Sequence, residues 1–287
     1  MSLKRRIYGL PAMRLYRELR TARLAARPVE TAYGFRFAGN PTYLRPDWEP
    51  NERRIILGLL PKIAAFIDVG ANHGFYTALA AKAGVQTVAI EPEEGNLRFL
   101  KSTVAANRFG TEILPLALSD TPGVLNLFGD GDTASVVEDW AGTDRTFRQL
   151  VPTNTLDNLL AVRWPGKRLL IKIDVEGAEA QVLAGAISMI ARTPRPYWLI
   201  ETFPNVFGSS EKTSAFLQVF DAMRDYSAFV ADEALTPVTR EMIEAWAADP
   251  ALPGRGGSNF LFVAKENVTD LPLTAENRPL APTHSAG

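Results

Sequence analysis

Four acidic side chains close four apolar runs in this chain: Asp68 in AAFIDVG (64–70), Glu91 in TVAIEP (87–92), Asp174 in LLIKIDV (169–175) and Glu201 in PYWLIET (196–202). A short, wholly apolar run bounded by turn residues reads as a strand buried on both faces. In open α/β sheets the ends of such strands border the crevice where ligands bind. After Asp68 comes Gly70-Ala-Asn72-His73-Gly74. The glycines remove side chains where backbone must approach a ligand, and the following helix points its N–H groups there. The spacing is not the G-x-G-x-x-G of a pyrophosphate-binding turn. Asp68 would repel a phosphate but suits a ligand with a cationic amino group. Glu91 lies where nucleotide-binding sheets place an acid on ribose hydroxyls. Asp120, after Ser119, either accepts from an adenine amino group or opens the Thr-Pro-Gly turn. Asp174, Glu176 and Glu179 crowd one strand tip and repel unless a cation, a metal or hydrogen bonds offset them. The helix dipole accounts for Glu179 and part of Glu176, but not for Asp174.

The elements that must position these groups alternate strand and helix. Residues 30–50 suggest a short hairpin, and NERRIILGLL (51–60) a helix capped by Asn51. Helices follow over 72–84 and 94–110, each stopped by glycine, and EILPLALS (112–119) reads as the third strand. VLNLFGDG (124–131) reads as an antiparallel excursion, 132–150 as an irregular substrate-side loop, and TLDNLLAV (155–162) as a helix capped by Thr155. Further helices are predicted over 178–192 and 214–226, and last strands over 227–238 and 259–265. The pattern predicts an α/β fold with a doubly wound open sheet. Its organisation is an N-terminal extension (1–60), a main domain (61–266) and a loosely attached tail (267–287).

Composition narrows the chemistry. Apolar residues make up 46% and charged residues 22%, ordinary globular usage. A net charge of −1 excludes a chain-wide nucleic-acid footprint. The absence of cysteine excludes disulfides, a catalytic thiolate, iron–sulfur clusters and Cys-zinc sites. With only His73 and His284, poly-His metal sites are excluded too. No stretch approaches the ~18 apolar residues of a membrane span, so the expected location is cytoplasmic. The first 27 residues hold eight Lys/Arg and one acid, with Leu15 and Leu19 four apart. One reading is docking to an anionic membrane surface or acidic partner. The other is a terminal helix that buries its leucines and leaves its arginines in water.

FIDVGANHGFYT, AIEPEEGNLRFL, LALSD, TLDNLL, LIKIDVEGAEAQVLAGA and IETF resemble the FkbM family of S-adenosylmethionine-dependent methyltransferases, over roughly residues 64–205. A weaker echo lies in SNFLFVAK (258–265). The resemblance implies a Rossmann-like class I methyltransferase sheet, mostly parallel with a C-terminal antiparallel strand and helices on both faces. It implies O-methylation of a hydroxyl on a sugar, glycan or related natural product. On it, Asp68, Gly70 and Asn72 line the methionine side of the cofactor. Glu91 holds the ribose, Ser119 and Asp120 face the adenine, and Asp174 lies nearest the reacting methyl.

The sulfonium already activates the methyl group, so the protein must align an acceptor oxygen and help remove its proton. Asp174, Glu176, Glu201 and His73 are the candidate bases, His73 having the intrinsic pKa nearest neutrality. The alternative is Mg²⁺ or Mn²⁺ held by Asp174 and Glu201, with Thr202 a poor third ligand. An NAD-dependent oxidoreductase or nucleotide-sugar enzyme is the rival class; Asp68 and the missing dinucleotide motif argue against it. A third reading is a binding module that keeps the cleft without chemistry.

Overall fold

The computed structural model describes Leu19 and residues 22–25, 27–129, 131, 134–138, 148–203, 210–248 and 259–271. His284, most of the basic N-terminal stretch and the end of the tail lie outside these residues. Among them no helix is long and apolar enough to cross a membrane.

A two-stranded hairpin, β1 (Val29–Glu30) with β2 (Arg36–Phe37), leads to helix α1 (Pro50–Leu59). Strand β3 (Ala65–Val69), helix α2 (Phe75–Lys82), strand β4 (Gln86–Ile90), helix α3 (Glu94–Asn107) and strand β5 (Glu112–Leu114) then alternate. Strands β6 (Ala117–Leu118), β7 (Gly123–Phe128) and β8 (Arg148–Asn154) form a separate three-stranded sheet. Helix α4 (Leu156–Leu160), capped by Thr155 as expected, leads to β9 (Leu169–Ile173). Short helices α5 (Glu179–Ala184) and α6 (Ile187–Ala191) precede β10 (Tyr197–Glu201). Helix α7 (Ser210–Ala222), strand β11 (Tyr226–Val230), helix α8 (Arg240–Ala248) and strand β12 (Asn259–Ala264) complete the described fold.

The main sheet has seven strands in the order β11-β12-β10-β9-β3-β4-β5. β5, β4, β3, β9 and β10 are parallel, and β12 is antiparallel to both its neighbours. The α/β sheet is thus mostly parallel with an antiparallel C-terminal strand, as the sequence resemblance led one to expect. Strand order reverses between β3 and β9, so the ligand crevice must lie above their carboxyl ends.

Period-two alternation sorts the strand side chains between two cores. Ile67, Val69, Leu169, Ile171, Ile173, Trp198 and Ile200 face one. Phe66, Leu170, Tyr197 and Leu199 face the other, which is roofed by Phe35, Phe37, Tyr43 and the α1 residues Ile55, Ile56 and Leu59. The same alternation carries Asp68, Lys172 and Glu201 onto the roofed face. Asp68 and Lys172 are register partners, so an acid and a base lie side by side on adjacent strands. The N-terminal segment is thus built into the second core, and so is Leu271 of the tail.

Four sequence expectations shift. EILPLALS is not one strand: β5 ends at Leu114, and Ala117–Leu118 joins the small sheet instead. Pro115 has no N–H for the ladder, and the chain leaves the main sheet there. The helix expected over 178–192 breaks at Gly185, where a Cβ would collide with the Ser119 carbonyl oxygen. Residues 148–150 are not loop but the start of β8, antiparallel to β7. Finally, α1 starts at Pro50 rather than after Asn51. Its N-cap is Glu49 at φ 41, whose side chain makes no capping bond.

Candidate active site

A cavity of about 360 Å³ opens over the carboxyl ends of β3, β4, β9 and β10. Asp68, Gly70, Asn72, His73, Glu91, Asp174, Glu176 and Glu201 all border it, so the structure brings together the acids read from the strand ends. Ser119 and Asp120 are not among the residues that border it. Because the chain leaves the main sheet at Pro115, that wall is made by Leu116, Ala117 and Leu118. Asp120 sits in an exposed turn and accepts from the hydroxyls of Ser119 (3.1 Å) and Thr121 (3.3 Å).

Gly70 takes φ 79, and a Cβ there would run into the Asp174 carbonyl oxygen. The glycine therefore lets the tips of β3 and β9 touch. Beyond it Asn72, at φ 51, gives its N–H to Glu91 Oε2 at 2.8 Å. Glu91 Oε1 accepts the N–H of Glu93 at 2.9 Å. The Glu91 carboxyl is fully buried, and burial pushes its pKa up to about 7 against these hydrogen bonds. Asn72 Oδ1 and Asn96 Oδ1 are buried without a hydrogen-bond partner, and both residues border the cavity. Two orphaned acceptors beside a buried carboxyl call for a ligand rich in donors, such as a ribose and an amino group. These acceptors fit the donor-bearing adenosyl group of the S-adenosylmethionine that the sequence resemblance implies. Asn96 gave no sequence signal beyond lying one turn into the helix after Glu91.

At the other end Lys172 Nζ meets Asp174 Oδ2 at 2.7 Å, with side chains 4% and 25% exposed. The ammonium also lies 5.2 Å from the centre of the Tyr76 ring. Burial opposes its charge, but Asp174, Glu49, Asp68 and Glu201 around it hold its pKa above the ordinary lysine value. Burial pushes Asp174 up, yet Lys172 and a hydrogen bond with Glu201 leave it below the usual carboxylate range. Glu201 is driven the opposite way, by burial and by the Asp174 charge, so it carries the proton of that pair. Burial also raises Asp68, which accepts from the Thr77 hydroxyl at 2.5 Å.

A Mg²⁺ or Mn²⁺ ion at Asp174 and Glu201 does not fit this donor set. The Lys172 ammonium already neutralises Asp174, and among the described residues no three His, Asp or Glu side chains are grouped to hold an ion. His73 is likewise corrected as a base. Its Nδ1 accepts the Asn40 N–H at 3.1 Å, so the proton of the neutral ring is on Nε2. The ring is buried, with ring centres 4.2 Å from Phe99 and 5.4 Å from Tyr43, and it ties the N-terminal segment to α3. Glu176, at φ 56, accepts the Ser135 hydroxyl at its carbonyl (2.6 Å) and is only partly buried.

The sequence reading missed the roof. Asn40, Thr42, Tyr43, Trp48 and Glu49 border the cavity from the N-terminal segment. Tyr76 donates its hydroxyl to Glu49 Oε2 at 2.6 Å. The Tyr43 and Trp48 rings lie 4.6 Å apart beside it.

A family model described as the methyltransferase FkbM domain matches residues 68–228, more than half of the chain. No curated protein matches. Among solved structures, cofactor-bound Rv0187 from MTB is 11% identical, covering 87% of this chain and 88% of its own, with a TM-score of 0.42. A TehB-like SAM-dependent methyltransferase from Corynebacterium glutamicum is 15% identical, covering 89% and 100%, with a TM-score of 0.40. A precorrin-6y C5,15-methyltransferase from Geobacter metallireducens is 12% identical, covering 62% and 73%, with a TM-score of 0.35.

Proposed function

The chain belongs to the FkbM methyltransferase family and is an S-adenosylmethionine-dependent methyltransferase; we propose that it transfers the methyl group to a hydroxyl of a sugar, glycan or related natural product. The observation that carries this reading is the wall of carboxyl groups at the Lys172 end of the cavity. Asp174, Glu201 and Glu49 border it, with the Tyr43 and Trp48 rings alongside. Carboxyl groups accept from hydroxyl donors, and flat aromatic faces cover the C–H faces of a sugar ring. The same acids disfavour the phosphates of a nucleic-acid acceptor.

In this reading the cofactor supplies an activated methyl group, and the chain's own residues do the rest. Glu91, Asn72 and Asn96 hold the adenosyl part. Asp174 and the protonated Glu201 hydrogen-bond the acceptor and turn one oxygen toward the methyl carbon. Alignment of this kind is worth about 7–11 kcal/mol when the reacting atoms are near attack distance. Lys172 keeps Asp174 ionised in a buried setting, the service a metal would otherwise give.

The test is a panel of sugars, oligosaccharides, polyols, amines and RNA incubated with methyl-labelled S-adenosylmethionine and the full chain. Methyl ethers on a hydroxyl-bearing acceptor are expected. Label confined to nitrogen or to RNA would overturn the hydroxyl reading. Docking of the basic N-terminus to an anionic surface belongs to the same proposal, since glycan acceptors are often membrane-bound. Co-sedimentation with anionic vesicles, lost on deletion of residues 1–18, tests it.

A further inference from the structure

We propose that Glu49, contributed by the N-terminal segment ahead of the matched family region, takes the proton released from the acceptor hydroxyl. The inference rests on the hydroxyl reading above and assigns the reaction a base that the family match does not contain.

Glu49 occupies the N-cap of α1, where a side chain ordinarily turns back to bond the first helical N–H groups. It does not do so. Its left-handed φ of 41 and Pro50 behind it aim the carboxyl instead at the cavity, where Tyr76 fixes Oε2 at 2.6 Å. Backbone strain of this kind clusters at functional sites, where the surrounding structure holds it in place.

The other acids at this end are spoken for. Asp174 is held ionised by Lys172 and is a weak base for that reason. Burial and the Asp174 charge push Glu201 well above the usual carboxylate range, so of that pair it is the one that favours the proton. Asp68 is fully buried beneath them and bonded to Thr77. The charged and titratable groups that face Glu49 are Lys172 from β9, Asp174 just after it, Glu201 from β10, Glu52 from its own helix and Tyr76 from α2. Arg53, on the helix that Glu49 opens, faces Tyr76. Burial and the neighbouring acids outweigh Lys172 and the Tyr76 bond, leaving Glu49 at about 7. A base poised near the working pH is the most effective one.

In the step itself the acceptor oxygen forms a bond to the methyl carbon and the carbon–sulfur bond breaks. Its electron pair stays on sulfur, giving neutral S-adenosylhomocysteine. The hydroxyl proton passes to the Glu49 carboxylate and from there to solvent. Tyr76 is a positioning residue that holds the carboxylate.

The experiment compares wild type, Glu49→Gln and Tyr76→Phe in the full chain. One arm follows the Glu49 carboxyl by ¹³C NMR from pH 5 to 9, with S-adenosylhomocysteine bound. A titration near neutrality, missing from the Glu49→Gln spectrum, is expected. No titration between pH 6 and 8 overturns the proposal whatever the acceptor is. The second arm measures kcat against pH on the best acceptor from the panel. Wild-type kcat should rise to a plateau above about pH 7. Glu49→Gln should lose at least ~100-fold in kcat and lose that limb, with S-adenosylhomocysteine affinity within threefold. Tyr76→Phe should move the limb to higher pH, because the lost hydrogen bond favoured the carboxylate. A Glu49→Gln enzyme that keeps a third of kcat with an unchanged limb overturns the base role and leaves hydroxyl methylation standing. A panel that yields only N-methylated products removes the hydroxyl reading, and the proposal with it.

Discussion

Replacing Lys172 by Met keeps the aliphatic stem on the roofed face of β9 and removes one buried charge. Truncating one partner of a buried ion pair typically costs ~3–5 kcal/mol, because the other charge is left uncompensated. Asp174 keeps a quarter of its side-chain exposure, which points to the lower end, about 3 kcal/mol at pH 8. The cost must depend on pH. In wild type the folded pKa of Asp174 lies below its unfolded value. Its contribution is therefore fully present above about pH 4 and is lost as pH falls through the folded pKa. Without Lys172, burial dominates and lifts the folded pKa above the unfolded one. The variant then loses stability as pH rises from about 4 through the new value. Asp68, Glu49 and Glu201 lose the same neighbour, and their shifts have the same sign. The lysine itself stays charged in both states below about pH 9 and contributes no slope.

Denaturant unfolding at pH 4.5, 6 and 8 is the assay. The gap between wild type and Lys172→Met should widen from about 1 to about 3 kcal/mol over that range. At pH 8 that corresponds to a melting shift of about 6–12 °C for a domain of this size. Lys172→Met/Asp174→Asn should recover part of the loss, since the Asp174 charge is then no longer orphaned. A gap that does not change with pH, or a double variant no more stable than the single one, would refute the reasoning.

Asp174→Asn should leave S-adenosylhomocysteine affinity within several-fold and lower turnover at least a hundredfold; near-normal turnover removes Asp174 from acceptor alignment. Gly70→Ala adds a Cβ at positive φ against the Asp174 carbonyl and should destabilise by about 2 kcal/mol or more. Its effect on S-adenosylhomocysteine affinity, at least tenfold, is read by titration calorimetry. His73→Gln loosens the contact between Asn40 and α3, so the melting temperature should drop. The limbs of its pH–rate profile should stay where they are, and a lost limb near neutrality would restore His73 as the base.

The parts of the fold legible in the sequence are those where one physical rule dominates. β3, β4, β9 and β10 are buried on both faces along most of their length, so they stand out as largely apolar runs, and the acids at their ends mark the crevice. What escaped was decided by contacts distant in sequence. Asn51 looks like a helix cap by local rules, but the cap is Glu49, two residues earlier, and its carboxyl bonds Tyr76 rather than the helix. Lys172 is an oddity in an apolar run until register sets it beside Asp68 and Tyr76 below Glu49. Two misreadings had visible signals. Pro115 inside EILPLALS argues against a continuous strand. Gly185 inside the long helix of 178–192 marks its break.

The crevice between β3 and β9 should hold the adenosyl cofactor through Glu91. Titrating S-adenosylhomocysteine into the full chain and into Glu91→Gln, in two buffers of different ionisation heat, tests it most directly. A carboxyl near pKa 7 in the free protein that accepts ribose hydroxyls on binding is favoured as the carboxylate. One site is therefore expected, with a proton released at pH 6.5 and affinity that rises with pH up to about 7. In Glu91→Gln the affinity should be at least tenfold weaker and the proton release absent. Binding that is equally tight and equally proton-linked in both proteins, or no binding heat in wild type, would contradict it.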